Sequence, residues 1–405
     1  MQRTFWKALA FVLVVSSARA EDLCHPARGF LAREQMALGT AVIGGLDFSP
    51  EGHPIVYHNE SGEVRIYQGG VPVTLATLTP GVWGAFLAVV PGGQEILFAD
   101  SGWSPPGGNI FSVPIEGGEA VKVDSVDSAF DIAFDGEGRG FLSACTTQDN
   151  GRIVLLDRDP ENQNKDIVVG IPGWSGPLAL DAAGNLYYGT ARALFEGRDP
   201  LEPQQRLVRF RPEQIEPALA GQPLDFSEGE IIWDDLTGFM DMVWADGTLV
   251  YTDMGAGTVY AVDTGGDNLL SPIATFESPV TGMMFPSYLA FREGPRTFDA
   301  GAGTEGGSLL VYYSDFQTLN NVVEIYPDLY FVRGRVNDGE QVDLSDAVSL
   351  LAYLFTGGEA PDPLAAGDVN DDGGLDISDP IYLLNFLFLG GPSIPAPYPE
   401  PGPDE

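Results

Sequence analysis

Between Asp368 and Asp379 the chain sets Asp368, Asn370, Asp372, Gly374, Asp376 and Asp379 at alternating and then closing positions of a twelve-residue loop. Ca²⁺ takes six or more oxygen ligands at about 2.3–2.6 Å, and this spacing offers five oxygen-bearing side chains and the Gly374 carbonyl from one short loop. Gly373 lies between the two groups of donors, where a sharp turn needs a residue without a side chain. An acidic, solvated turn would need no such order, so the loop is read as a Ca²⁺ site.

A second, weaker loop lies upstream, at the offset that carries Asp346 onto Asp379. There Asn337, Asp343 and Asp346 keep ligand character and Gln341 offers a carbonyl. Arg335 replaces the first carboxylate, Gly339 the middle one, and Glu340 the turn glycine. A guanidinium beside a cation repels it at close range. One Ca²⁺ is therefore expected in the second loop, with the first as a lesser site.

Each loop leads into a helix, Ala347–Phe355 and Ile381–Leu389, stopped by Gly357-Gly358 and Gly390-Gly391. Leu344, Val348, Leu351 and Phe355, and likewise Ile377, Ile381, Leu384 and Phe388, share one face at helical spacing. That predicts a core face, with Leu344 and Ile377 packed inside and Ser345 and Ser378 capping the helices. Yet Asn385 is the one strongly polar residue of Ile381–Leu389, and a helix apolar nearly all round must be covered on more than one side.

These duplicated halves, residues 329–392, resemble a type I dockerin, the Ca²⁺-dependent module that docks on cohesin domains. The resemblance implies that Leu344, Ser345, Ile377 and Ser378 contact a partner, a cohesin-like or other surface protein. It also implies company with polysaccharide-degrading proteins.

Upstream, from about Gly44 to Pro327, the grammar is of strands. Leu46–Phe48, Ile55–Tyr57 and Val64–Tyr67 form one unit of apolar strands divided by glycine turns. Five more follow, the clearest being Met242–Trp244, Leu249–Asp253 and Gly257–Asp263. A period of about 40–60 residues suits propeller blades better than a sandwich. The six units resemble a six-bladed β-propeller of the NHL or lactonase-like kind, making the chain mainly β with a small C-terminal α-helical dockerin-like domain. Ala37–Val42 could supply the closing strand. Lactonase-like propellers hold a divalent cation with channel carboxylates. By that resemblance Asp131 and Asp241, at matching points of units three and five, are the channel candidates. The other reading is that they bond backbone groups or line a wet channel.

No catalytic residues emerge. His25, His53 and His58 lack metal-ligand spacing, and no G-x-S-x-G turn occurs. Trp83, Trp103, Trp174 and Trp233 lie between predicted strands, where they would stack on a glycan or wedge between blades.

Residues 1–20 read as a secretory signal peptide: Arg3 and Lys7, the apolar run Ala8–Val15, then Ala18-Arg19-Ala20. The apolar run is too short to span a membrane. The propeller would occupy 21–328, and a Pro-rich tail, read as extended and mobile, 393–405. A net charge of −38 excludes nucleic acid and anionic membrane as partners. Cys24 and Cys145 allow a disulfide after export, although nothing in the sequence sets their distance. Two functions fit: a secreted recognition protein tethered Ca²⁺-dependently to an extracellular or cell-surface assembly, or an extracellular propeller enzyme (lactonase or carbohydrate-active hydrolase/lyase) carried by the same tether.

Overall fold

The computed structural model describes residues 23–399, apart from 28–29, 80, 101–107, 148–149, 158–162, 192–204, 237, 246, 263, 265–269, 278–283, 293–306, 316–318, 328–330, 338, 340, 359, 362–363 and 373. The signal-peptide reading of residues 1–20, Trp103, Asp263 and Gly373 all lie outside this set. The described residues fall into two compact units, one built on the strands and one from Tyr326 onward with a few upstream residues.

Six sheets make the first unit, each of at least four strands ordered from the inside outward. The innermost strands are Ile43–Phe48, Gly84–Val89, Asp131–Phe134, Leu178–Leu180, Phe239–Ala245 and Phe285–Arg292. Each contacts the innermost strands of the blades on either side, and the sixth returns to the first. That closed cycle defines a six-bladed β-propeller. The sequence reading found three strands per unit and missed the fourth. The outermost strand of blade one, Val71–Thr77, is largely exposed, Val71 and Val73 included.

Closure comes from the N-terminal side. Phe30–Gly39 is the outermost strand of blade six, so the ring closes earlier in the chain than Ala37–Val42 suggested. Cys24–Pro26 adds a fifth strand to blade five, pairing with Ala274–Phe276. Blade three gains a parallel fifth strand, Leu224–Asp225, after helix α1, Pro212–Leu219. Cys24 and Cys145 are both buried and unbridged, and burial pushes the Cys24 thiol up to about 12.

Blades pack through aromatic and branched side chains. Tyr57 of blade one stacks on Phe98 of blade two at 5.0 Å and Tyr187 of blade four on Trp244 of blade five at 5.6 Å, while Phe98 also stacks on Phe111 of its own blade at 5.3 Å. Where blades one and two meet at the channel, a Cβ on Gly44 would sit 2.4 Å from the Cα of Gly84, so neither position accepts a side chain.

The second unit carries helices α2, Leu344–Thr356, and α3, Ser378–Leu389. Both end on a glycine in the left-handed conformation, Gly357 at φ 72° and Gly390 at φ 68°. The core is Val336, Ala347, Leu350, Val369, Leu383 and Ile394. This corrects the predicted core face. The buried faces carry Asp346, Ala347 and Leu350 on α2, and Asp379, Pro380 and Leu383 on α3. Of the predicted stripes, Leu344, Val348 and Phe355, and Ile377, Ile381 and Phe388, are exposed, while Leu384 packs against the core.

The tail differs from expectation as well. Ile394 is buried in the core, Tyr398 meets Phe386 edge-on at 5.4 Å, and Tyr382 donates from its hydroxyl to the Ser393 carbonyl at 2.9 Å. Packing of the unit thus continues to Pro399.

Candidate functional site

Both loops of the C-terminal unit close in the same way. In the second, Asp379 Oδ1 accepts from the backbone N–H of Val369 at 2.8 Å and of Asn370 at 3.4 Å, and Oδ2 from Asp376 N–H at 2.8 Å. In the first, Asp346 Oδ1 accepts from Val336 N–H at 2.7 Å and Asn337 N–H at 3.1 Å, and Oδ2 from Asp343 N–H at 2.8 Å. One buried carboxylate at the first turn of each helix thus satisfies three main-chain donors that would otherwise be orphaned. Burial raises the Asp379 pKa, and the three N–H bonds work against that rise.

The remaining ligand candidates sit around these staples. Asp372 N–H donates at 3.1 Å to both Asp368 Oδ1 and Asn370 Oδ1, so the first two donor side chains turn toward one point inside the loop. Asp372 Oδ1 accepts from Gly374 N–H at 3.0 Å, and Asp376 Oδ1 from Ser378 N–H at 2.7 Å. The donor set is all oxygen and strongly anionic, which is the chemistry of a hard cation. Among the described residues, however, no three His, Cys, Asp or Glu side chains are gathered as a metal centre. Holding Ca²⁺ would require Asp368, Asp372 and Asp376 to draw in.

The first loop fits a cation less well. Asn337 Oδ1 accepts from Gly339 N–H at 2.7 Å and Asp343 Oδ1 from Ser345 N–H at 2.7 Å, as Asn370 and Asp376 do in the second loop, so the difference lies in Gly339, which offers no carboxylate where the second loop has Asp372. Arg335 stands where Asp368 stands in the second loop.

The structure places Leu344 and Ile377 at the surface, 50 % and 45 % exposed. They head two equivalent stripes. Val348 and Phe355 are 56 % and 66 % exposed, and their counterparts Ile381 and Phe388 are 51 % and 62 %. Ser345 and Ser378 lie beside them, each accepting on its hydroxyl from Asn337 Nδ2 at 2.7 Å and Asn370 Nδ2 at 2.9 Å respectively.

The propeller channel holds a cavity of about 230 Å³ lined by the innermost strands. Asp131 and Asp241 both face it, joined by Asp47, which the sequence reading missed. Each spans two blades with one carboxylate. Asp47 Oδ2 accepts from Val89 N–H at 2.6 Å, Asp131 Oδ2 from Leu178 N–H at 2.8 Å, and Asp241 Oδ2 from Leu289 N–H at 2.7 Å. Each Oδ1 accepts from the next N–H of its own strand at 2.7–2.8 Å. Blades one and two, three and four, and five and six are clasped in this way.

Burial pushes Asp47 up to about 6 and Asp131 up to about 7. Asp241 is raised well above its ordinary value by burial and then by the charge of Asp131. Asp47 escaped notice because it lies one residue before the last rung of its hairpin, whereas Asp131 lies three before. Recurrence at equivalent positions could not reveal it. Asp100 Oδ1 accepts from Gly108 N–H at 2.8 Å, and Asp253 Oδ1 from Ala256 N–H at 2.9 Å in a tight turn. Trp83 is exposed, Trp174 bridges to Ala191, and Trp233 belongs to the outer strand of blade four rather than to a loop.

No protein-family model matches the chain, and no curated protein does. Solved structures match it across the propeller. A protein assigned as a gluconolactonase is 13 % identical with a TM-score of 0.49, covering 75 % of this chain and 94 % of its own. The calcium-binding protein regucalcin of Agrobacterium tumefaciens is 15 % identical at TM-score 0.48, covering 73 % and 95 %. The PQQ-bound aldose sugar dehydrogenase of Streptomyces coelicolor is 13 % identical at TM-score 0.48, covering 74 % and 99 %. Likeness at this distance carries no argument about activity, and the propeller assignment stands on the sheet topology itself.

Proposed function

We propose that this is a secreted, non-catalytic recognition protein: a propeller tethered to an extracellular or cell-surface assembly by a dockerin-like, Ca²⁺-binding module. The observation that supports it is the repeated exposed stripe, Leu344, Val348 and Phe355 on α2 and Ile377, Ile381 and Phe388 on α3. Fully burying a residue of this kind is worth about 1.5–3 kcal/mol, so six left half-exposed forgo a sizeable stabilisation. Apolar surface repeated at equivalent positions of two helices marks a contact made with another molecule. The partner would be a cohesin-like surface protein, and the wider setting polysaccharide-related.

In this reading Asp368, Asn370, Asp372, Gly374, Asp376 and Asp379 would hold one Ca²⁺. The ion would supply charge compensation that orders the loop preceding α3. The enzyme alternative finds less support, because each channel acid has a structural task, clasping two neighbouring blades.

The test is capture of partners from the surface or secreted fraction by the full-length protein, with Ca²⁺ or EGTA. A specific partner retained in Ca²⁺ and lost on Leu344→Asp/Ile377→Asp substitution, with melting unchanged, is the expected result. Capture that ignores both Ca²⁺ and the substitutions would sink the docking reading.

A further inference from the structure

We infer that Arg333 is a built-in cation linking the second loop to the C-terminal tail, so that Ca²⁺ binding and tail docking strengthen each other. The inference rests on the Ca²⁺ reading above and adds a mode of regulation to it.

Arg333 is only 1 % exposed, in a unit where a buried charge is costly unless fully paired. It is paired on every side. Nη1 donates to the main-chain carbonyl of Asp368 at 2.7 Å, and Nη2 meets Asp371 Oδ1 at 3.0 Å. Asp368 is the first donor of the loop, and Asp371, held at φ 59°, lies between the next two. Nε donates to the Ala396 carbonyl at 2.7 Å, while Arg333 N–H reaches the Pro397 carbonyl at 2.7 Å. The Phe331 ring lies 5.5 Å from the guanidinium carbon. A single planar group thus bonds the loop on one edge and the tail on another.

The second half offers no equivalent. The residue that repeats the place of Arg333 is Ala366, whose carbonyl accepts from Gly334 N–H at 2.8 Å. The link is therefore one-sided and serves the loop with the fuller donor set. Through Nη1 on its carbonyl, Arg333 holds the backbone of Asp368 in place. Asp371 offsets the guanidinium charge on the side nearest the loop. Losing the tail frees Nε, loosens the guanidinium plane and with it the Asp368 backbone. Linkage makes the effect reciprocal: what the tail does for Ca²⁺, Ca²⁺ does for the tail.

The experiment uses full-length protein, with terbium luminescence competed by Ca²⁺ as one readout. The other is the anisotropy of a fluorophore on Ser393→Cys, the native thiols being buried. In the parent, Ca²⁺ should raise the anisotropy. Ending the chain at Gly391, or making Arg333→Met, should raise the half-saturating Ca²⁺ about tenfold, within the usual range of coupling factors. Arg333→Met should also abolish the anisotropy response. Arg333→Lys, which keeps the charge without the fork, should fall between and guards against simple misfolding. Parent-like Ca²⁺ affinity in the truncated chain, or anisotropy indifferent to Ca²⁺ in the parent, would overturn the link. A parent that binds no terbium would sink the Ca²⁺ reading itself, and the link with it.

Discussion

Single carboxyl groups do three kinds of work in this chain, and their surroundings decide which. Asp346 and Asp379 are staples whose oxygens serve three N–H groups each. Replacing either by Ala strands those donors, for which a loss of about 2–4 kcal/mol is expected in the absence of Ca²⁺. Asp372→Ala should instead abolish terbium binding while leaving the apo module's melting near that of the parent. The channel acids behave differently again. Their folded pKa values lie above the unfolded carboxyl value, so their contribution is complete below about pH 3.8 and is lost as pH rises through about 6 to 7. The propeller should melt several degrees higher at pH 5 than at pH 8. In Asp131→Asn that difference should shrink, since a neutral amide cannot charge. A variant with the parent's full pH dependence would show that the channel is not its source.

At the scale of elements, the helix pair shows how one stripe can be read two ways. Periodicity correctly put Leu344, Val348 and Phe355 on one face of α2, and Ile377, Ile381 and Phe388 on one face of α3. It could not say which face looks inward. The core answers that: Ala347 and Leu350 of α2 and Leu383 of α3 pack together, so the opposite stripe faces out. The tail is legible only in three dimensions too. Its prolines advertise an extended chain, but Ile394 and Tyr398 find apolar cover on the same unit. A C-terminal fragment for biophysical work should therefore run to at least Pro399. One stopped at Pro392 should melt lower, as far-UV circular dichroism of the two would show.

For the propeller as a whole, stability depends on residues far apart in the chain. The strand Phe30–Gly39 completes blade six and Cys24–Pro26 extends blade five, so the N-terminal segment spans two neighbouring blades at the seam. Deleting residues 21–40 should lower the melting temperature by well over ten degrees, because blade six would lose its outermost strand and expose a long unpaired edge. An equal deletion from the far C-terminus, 386–405, should leave the propeller transition unchanged. No helix among the described residues is long and apolar enough to cross a membrane.

The glycine turns and apolar strands of residues 44–327 were enough by themselves to specify six blades, since their period and turn chemistry are local. The order of oxygen-bearing residues in Asp368–Asp379 is likewise local, since one short loop carries them all. Ring closure, the fourth strand of each blade and Asp47 depend on register between distant segments, which no local pattern encodes. The outward turn of the apolar stripes and the burial of Arg333 were likewise settled by packing. Which face of a helix is covered, and what pairs a guanidinium, depend on neighbours that only the folded chain supplies.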